Sequence, residues 1–358
     1  MRIAFFGSSL LSSYWNGAAT YYRGIIHALH RRGHRITFYE PDAFERQQHK
    51  DIEVPPWCEV EVYAPTEADA SRMLEQAWRA DVVVKASGVG VLDAFLEREV
   101  LRLRSTRRSV LFWDVDAPAT LERLAADPGD PFHALVPRYD LVLTYGGGPR
   151  VIDAYRAIGA VDCVPIYNAL DPATHYPVPP EPRFAADLGF LGNRLPDREA
   201  RVDQFFFEAA RRLPGAGFML GGAGWDEGVP VNVRRLGHVP TADHNAFNCS
   251  ARMVLNINRD SMARFGWSPP TRVFEAAGAG ACLIVDAWDG IEAFLEPGTE
   301  VLVAKDGAEV AGHVTHTDAA TARAIGERAR LRMLDQHTYA QRAVKFEQVL
   351  EGRLEAAA

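Results

Sequence analysis

Short apolar runs alternate with amphipathic helical stretches along almost the whole chain. That alternation restricts the fold more than any single motif does. Arg2–Phe6 is a continuous apolar run that stops at Gly7. Residues 18–32 then carry Tyr22, Ile25, Ile26 and Leu29 at the i, i+3, i+4, i+7 spacing of one helix face, and Gly33 ends the helix after basic residues. Strand-like runs follow at 36–39, 59–63, 82–86, 110–113, 141–145 and 163–166, with helical patterns at 66–79, 91–104 and 149–158. The segment His175–Arg183 reads HYPVPPEPR and holds four prolines. Proline fixes φ and removes backbone donors, so this segment predicts an extended linker. Beyond it the alternation resumes, with strands at 188–191, 218–220, 233–236, 254–257, 282–285 and 301–303. Helices are expected near 198–213, 241–250, 271–279, 318–334 and 338–353. The pattern predicts an α/β protein of two doubly wound, Rossmann-like domains. The first spans residues 1–174, the linker 175–185 and the second 186–336. Ligands would bind at the C-terminal ends of the strands, facing a cleft.

Composition narrows the class of protein. Of 358 residues, 47% are hydrophobic and 24% charged, which excludes a disordered, collagen-like or coiled-coil architecture. The formal charge of −8 argues against nucleic acid as a general partner, while leaving room for a local basic pocket. No run approaches the roughly 18 apolar residues of a membrane span. The N-terminal run is broken by Gly7, Ser8 and Ser9 and does not read as a signal peptide. A cytoplasmic protein is expected. Cys58, Cys163, Cys249 and Cys282 are scattered without CxxC spacing, and three of them lie in strand-like runs. They read as small buried thiols rather than as metal ligands or nucleophiles.

A dinucleotide enzyme would need G-x-G-x-x-G after the first strand. The loop Gly7–Gly17 lacks it, although Glu40 stands where a ribose-binding acid would. The more informative segment is Trp267-Ser-Pro-Pro-Thr-Arg-Val-Phe-Glu275, running on to Gly280. Pro269 and Pro270 suit a helix start, and Ser268 and Thr271 are capping residue types. A helix N-terminus attracts anions, and Arg272 adds positive charge there. Glu275 lies one turn further on, where a carboxylate can accept two hydrogen bonds from a ribose diol. The alternative is a capped helix with a surface glutamate. Gly192-Asn193-Arg194 follows the first strand of the second half, and an arginine there can fork onto phosphate oxygens or pair with Asp197 or Glu199. The loops holding Gly222 and His238-Val239 would expose backbone groups to a base edge.

These residues carry a resemblance. The chain is similar to GT-B glycosyltransferases of the family-4 type, and especially to the spore-maturation CgeB-like group. The opening Met1–Glu40, Asn168-Ala-Leu-Asp171, Leu191–Arg194, and Arg272–Gly280 with Pro297–Glu300 resemble family segments in that order. The resemblance implies transfer of a sugar from a nucleotide-diphosphate donor to an acceptor hydroxyl, with retention of configuration. Glu275 would then hold the ribose and Arg194 the diphosphate. It implies no metal and no cofactor beyond the donor co-substrate, a UDP- or dTDP-sugar. It also implies a C-terminal helix, 337–358, packed back on the first domain. Two positions depart from the family pattern. Trp267 stands where a second glutamate is usual, and Asn168-Ala169 replaces Asn-Gly. The same fold also serves sugar-nucleotide epimerases, phosphorylases and non-catalytic nucleotide-sugar binders.

The acceptor side is expected in the first half. Asp114 or Asp116 would act as base or accept a substrate hydrogen bond, the alternative being a helix cap near Pro118. Asn16, Lys85, Tyr145 and Gly147 are the other candidates, with Gly146–Gly148 offering either an anion site or a tight turn. The acceptor could be a small molecule, a glycan or a protein, and the enzyme a monomer or homodimer.

Overall fold

The computed structural model describes residues 1–14 and 16–357, with the side chains of Asp197 and residues 353–357 outside that description. The chain divides into two compact units, Met1–Asn168 with Tyr339–Ala358, and Ala169–Thr338.

The first unit runs β1 (Arg2–Phe6), α1 (Ala19–Arg31), β2 (Arg35–Pro41), β3 (Glu59–Tyr63), α2 (Glu67–Ala77), β4 (Val82–Ala86), α3 (Asp93–Glu99), β5 (Ser109–Asp114), α4 (Ala117–Ala126), α5 (Phe132–Leu135), β6 (Leu141–Thr144), α6 (Pro149–Ala157) and β7 (Cys163–Pro165). Its seven strands form one sheet in the order β3-β2-β1-β4-β5-β6-β7, with every pairing parallel. Central β4 reads VVVKA and is buried along its whole length, as a strand covered by helices on both faces must be. The edge strand β3 instead alternates and turns Glu59 outward, which discourages pairing with another chain. Strand order reverses between β1 and β4, so the loops after these two strands flank the switch point.

The second unit runs β8 (Ala186–Leu191), α7 (Pro196–Val202), α8 (Glu208–Arg212), β9 (Phe218–Gly221), β10 (Val233–Gly237), α9 (His244–Ser250), β11 (Ala251–Asn256), α10 (Asp260–Phe265), α11 (Thr271–Gly278), β12 (Leu283–Asp286), β13 (Leu302–Ala304), α12 (Gly307–His316) and α13 (Ala319–Gln336). Its six parallel strands are ordered β10-β9-β8-β11-β12-β13, with the reversal between β8 and β11. Between α7 and α8 the backbone widens into a π-turn over Asp203–Phe207. The extra residue in that turn lets three successive aromatics, Phe205, Phe206 and Phe207, enter the core, where each is 5% exposed or less.

The last helix, α14 (Tyr339–Ala357), belongs to the first unit. Its Tyr339 ring occupies the space where a Cβ on Gly24 of α1 would project, at 2.2 Å. Phe346 stacks on Trp113 with ring centres 5.4 Å apart, and Glu347 accepts from Arg32 Nε at 2.7 Å and meets His34 Nε2 at 2.8 Å. The chain therefore passes between units at 168/169 and again at 338/339. The proline-rich stretch 175–185 is not the crossing point expected from its composition. It lies inside the second unit and is tied to α9, with Glu181 N–H donating to Ser250 Oγ at 2.8 Å. The single helix expected at 198–213 runs without a break from 196 to 212 with the π-turn inside it, and α5, α10 and α12 are additional.

Candidate active site

In the second unit the loops after β8, β9 and β10 are laced together by their own backbone. Gly192 N–H donates to Gly221 O at 2.9 Å, Gly222 N–H to Gly237 O at 2.7 Å, and Arg194 N–H to Ala223 O at 2.9 Å. Asn193 Oδ1 accepts from Ala223 N–H at 3.0 Å, and Trp225 Nε1 donates to Gly192 O at 2.8 Å. Gly222 has a φ of +127°, and a Cβ there would lie 2.2 Å from the Gly192 carbonyl oxygen. Only glycine permits that approach. The Gly192, Asn193 and Gly222 positions thus shape the loops through their backbone.

The Arg194 guanidinium reaches out from this platform. It pairs with the Glu199 carboxylate and donates to Gly224 O at 3.4 Å. The hydrogen bond from Arg194 holds the Glu199 carboxyl below its usual range. The surface-pair alternative of the sequence reading is therefore present in the free protein; the other partner considered, Asp197, has a side chain outside the described residues. His238 is exposed and Val239 is buried, with the Val239 carbonyl 3.3 Å from His244 Nε2.

Helix α11 starts beside the switch point. Pro270 occupies the cap position, and no side chain caps the helix. Ser268 is 2% exposed, and its hydroxyl donates to Gly266 O at 3.0 Å, so it shapes the approach to the helix instead. Trp267 adopts a φ of +50°, a left-handed conformation that costs a non-glycine residue about 1 kcal/mol or more. Its indole fills the space above Gly290, where a Cβ would lie 2.3 Å from the ring. Thr271 opens the helix and Arg272 follows, half exposed.

Glu275 is the unusual group. It is 9% exposed and its carboxylate accepts no hydrogen bond from a described residue. Its nearest ionisable neighbours among the described residues are His175, with Nε2 at 3.9 Å, and Arg272 at 4.0 Å. A buried carboxylate without donors is costly unless a ligand supplies them. A small cavity next to it is lined by Leu191, Asn248, Asn256, Arg272 and Glu275. Asn256 Nδ2 and both polar atoms of the Asn258 side chain are also buried without partners. Sequence reasoning passed over Asn256 and Asn258. The signal was present, because polar Asn-Ile-Asn at the end of an apolar strand marks the strand's C-terminal edge. His244 opens α9 nearby, and burial pushes its imidazole down to about 4, so it is neutral at pH 7.

In the first unit the structure redirects several candidates. Asp114 has no exposure. Its carboxylate accepts from Ser87 Oγ at 2.6 Å, Thr120 Oγ1 at 3.1 Å, Asp116 N–H at 3.0 Å and the Tyr155 hydroxyl. Oδ1 takes three of these bonds and Oδ2 one, so the fully buried Asp114 orders the loop between β5 and α4 and is not open to a substrate. Asp116 is half exposed beside it and does not cap α4 with its side chain. Lys85 is likewise fully buried, paired with Asp93 and 4.0 Å from Glu97. Burial alone would raise the Asp93 carboxyl, but the Lys85 ammonium and the Gly90 and Val89 N–H groups hold it below its usual range. Lys85 is thus a core ion pair and not an open acceptor contact. Asn16 is 7% exposed and spends its amide on the loop, accepting from Ser8 Oγ at 2.9 Å and donating to Ser9 O at 2.8 Å and Ser12 O at 2.9 Å. Glu40 anchors the same loop through Leu10 N–H at 2.6 Å and Ser9 Oγ at 3.0 Å. Tyr145 remains half exposed, 5.4 Å from the Tyr21 ring. Gly147 has a φ of +86° and a bare Cα against Val151, the tight-turn alternative of the sequence reading. The thiols of Cys58, Cys163 and Cys282 are pushed up to about 12 by burial and are unreactive.

Residues 198–348, under half of the chain, match the sequence model of a family described as glycosyl transferase-like. Comparison with curated protein sequences returns no match. Among solved structures, sucrose-phosphate synthase from Thermosynechococcus elongatus matches at a TM-score of 0.72 and 14% identity, covering 100% of each chain. Anabaena HepE, in complex with UDP and glucose, matches at 0.68 and 14% identity, covering 98% of this chain and 100% of the other. The lipopolysaccharide outer core galactosyltransferase WaaB in its apo form matches at 0.61 and 14% identity, covering 99% and 100%. Two parallel sheets with flanking helices, superposing on these proteins, are the GT-B fold. The matched segment is similar to glycosyl transferase-like sequences, and the fold of the chain is that of GT-B glycosyltransferases. No helix among the described residues is long and apolar enough to cross a membrane.

Proposed function

We propose that the chain transfers a sugar from a nucleoside-diphosphate sugar to an acceptor hydroxyl, without a metal cofactor and with retention of configuration. The observation that carries this reading is Glu275, a buried carboxylate that accepts no hydrogen bond from a described residue, one turn inside helix α11. A ribose 2′,3′-diol supplies two such donors. The diphosphate would then lie toward the N-terminus of α11, where the helix dipole and Arg272 favour negative charge. Arg194 would leave Glu199 for the phosphate oxygens. In the reaction the acceptor oxygen bonds to the anomeric carbon, and the bond from that carbon to the diphosphate oxygen breaks. The electron pair goes to the diphosphate, whose departing oxygen takes the proton released by the acceptor hydroxyl. Protein cations and helix N–H groups stabilise the leaving charge, the task a divalent ion performs elsewhere. The likeness to HepE, whose structure holds UDP and glucose, supports a uridine nucleotide. The family-4-type and CgeB-like resemblance belongs to this reading. So does a cytoplasmic setting, where four unpaired thiols stay reduced.

Calorimetric titration tests the donor side. UDP should bind roughly tenfold or more tighter than dTDP, because deoxyribose offers Glu275 one hydroxyl in place of two. Equal affinities would remove the diol from the argument. Arg194→Ala should lower kcat/KM for donor turnover by about a hundredfold. The melting temperature should scarcely move, since the Arg194–Glu199 pair is exposed. A lower melting temperature with normal kinetics would make Arg194 a structural residue only. Release of free sugar from UDP-sugar without acceptor separates an enzyme from a binder.

A further inference from the structure

We propose that His175, His244 and Glu275 form a zinc-binding site in the second unit. One ligand-type atom from each lies within 4.8 Å of the others, and they come from three different parts of the chain. His175 follows the turn begun at Asp171, His244 opens α9 and Glu275 lies in α11. Two imidazoles and a carboxylate are a common zinc donor set. A tetrahedral ion with bonds of about 2.0–2.2 Å spaces its ligands roughly 3.3–3.5 Å apart. The His175 Nε2 to Glu275 Oε1 distance of 3.9 Å needs only a small contraction.

The hydrogen bonds also orient the donors. The single proton of the Thr174 hydroxyl goes to Asp171 O at 3.2 Å, and Thr174 Oγ1 lies 2.9 Å from His175 Nδ1. In the neutral ring this pairing puts the proton on His175 Nδ1 and leaves the Nε2 lone pair facing the Glu275 carboxylate. Two acceptors aimed at each other in a nearly buried site, His175 being 7% and Glu275 9% exposed, are the arrangement that a cation between them resolves. His244 is steadied in the same way, with Nε2 at 3.3 Å from the Val239 carbonyl. A partner on the second ring nitrogen is the usual companion of metal-binding histidine. Among the described residues the guanidinium that faces Glu275 is that of Arg272, at 4.0 Å, and its side chain is 38% exposed, so it has room to turn to solvent. An ion here uses the carboxylate that the donor ribose would use. Zinc therefore acts as a competitor of the nucleotide and not as a cofactor, a consequence that rests on the donor reading above.

Cobalt(II), which reports its ligands by absorption, is the probe, with zinc displacing it. The full-length protein should bind one cobalt ion with a tetrahedral ligand-field band and no thiolate charge-transfer band, and zinc should abolish the band. His175→Ala and His244→Ala should each weaken cobalt binding at least about tenfold. His175→Gln, which keeps the side-chain bulk, serves if an alanine variant fails to fold. No saturable band, a thiolate band, or affinity unchanged in folded His175 and His244 variants overturns the site. Uridine, which lacks chelating phosphates, should displace cobalt from the wild-type protein. Cobalt binding that resists saturating uridine, in protein that calorimetry shows to bind uridine, overturns the sharing of Glu275. Protein that binds cobalt through these residues but binds neither uridine nor UDP sinks the donor reading and leaves the metal site standing.

Discussion

Glu275→Ala will weaken UDP binding by about 3 kcal/mol, roughly a hundredfold, while the protein stays folded. The size follows from two hydrogen bonds to a charged acceptor, each worth about 1.5–3 kcal/mol before partial compensation by water. The accompanying stability effect should have the opposite sign. In the free protein this carboxylate is buried, accepts no hydrogen bond from a described residue, and lies 3.9 Å from His175 Nε2 and 4.0 Å from Arg272. Removing it relieves a desolvation cost, and the free variant should melt a few degrees higher, corresponding to about 1 kcal/mol. Calorimetric titration and thermal melting on the same preparation decide the matter. Unchanged UDP affinity with a lowered melting temperature would mean that Glu275 serves the fold. A residue that weakens the apo protein and strengthens the complex is what a binding site requires, since its charge is satisfied only by the ligand.

Asp114→Ala will act in the opposite way, destabilising the first unit by about 3–4 kcal/mol without altering nucleotide affinity in molecules that remain folded. Ser87, Thr120, Tyr155 and the Asp116 N–H all direct donors at this carboxylate. Truncation leaves those donors without an acceptor in a buried place, and each orphaned group costs about 1–3 kcal/mol. The loss is moderated where a hydroxyl can rotate to another partner. Thermal melting should show an early transition for the variant, and UDP titration below that transition should match the wild type. Normal stability combined with lost transfer activity would return Asp114 to the list of candidate bases.

These two carboxylates show how far residue patterns carry a functional reading. Both stand after or within strongly patterned segments, and the sequence marks both as unusual. Asp114 ends an apolar strand, which is where a ligand contact and a loop-ordering acceptor look alike. The difference lies in Ser87, Thr120 and Tyr155, which reach Asp114 from separate elements and have no fixed spacing from it in the chain. Lys85 failed as an acceptor contact for the same reason: its partner Asp93 sits at the start of the next helix. Helix α12 was missed despite a legible start, with Asp306 capping Glu309 N–H at 2.9 Å. The proline segment misled because proline dictates an extended backbone but not where that backbone docks. Here it docks on α9.

The order of strands and helices along the chain and their parallel winding follow from apolar periodicity, because burial of one face per helix and both faces per central strand is a local demand. The glycine at 222 and the proline start of α11 are local too, so their residue types announce them. What the linear order could not decide is which polar groups find partners. Ion pairs and hydrogen bonds inside a folded unit join residues tens of positions apart, and whether a buried charge is satisfied depends on all of its neighbours at once. Tertiary packing surrounded Asp114 with donors and left Glu275 without one among the described residues.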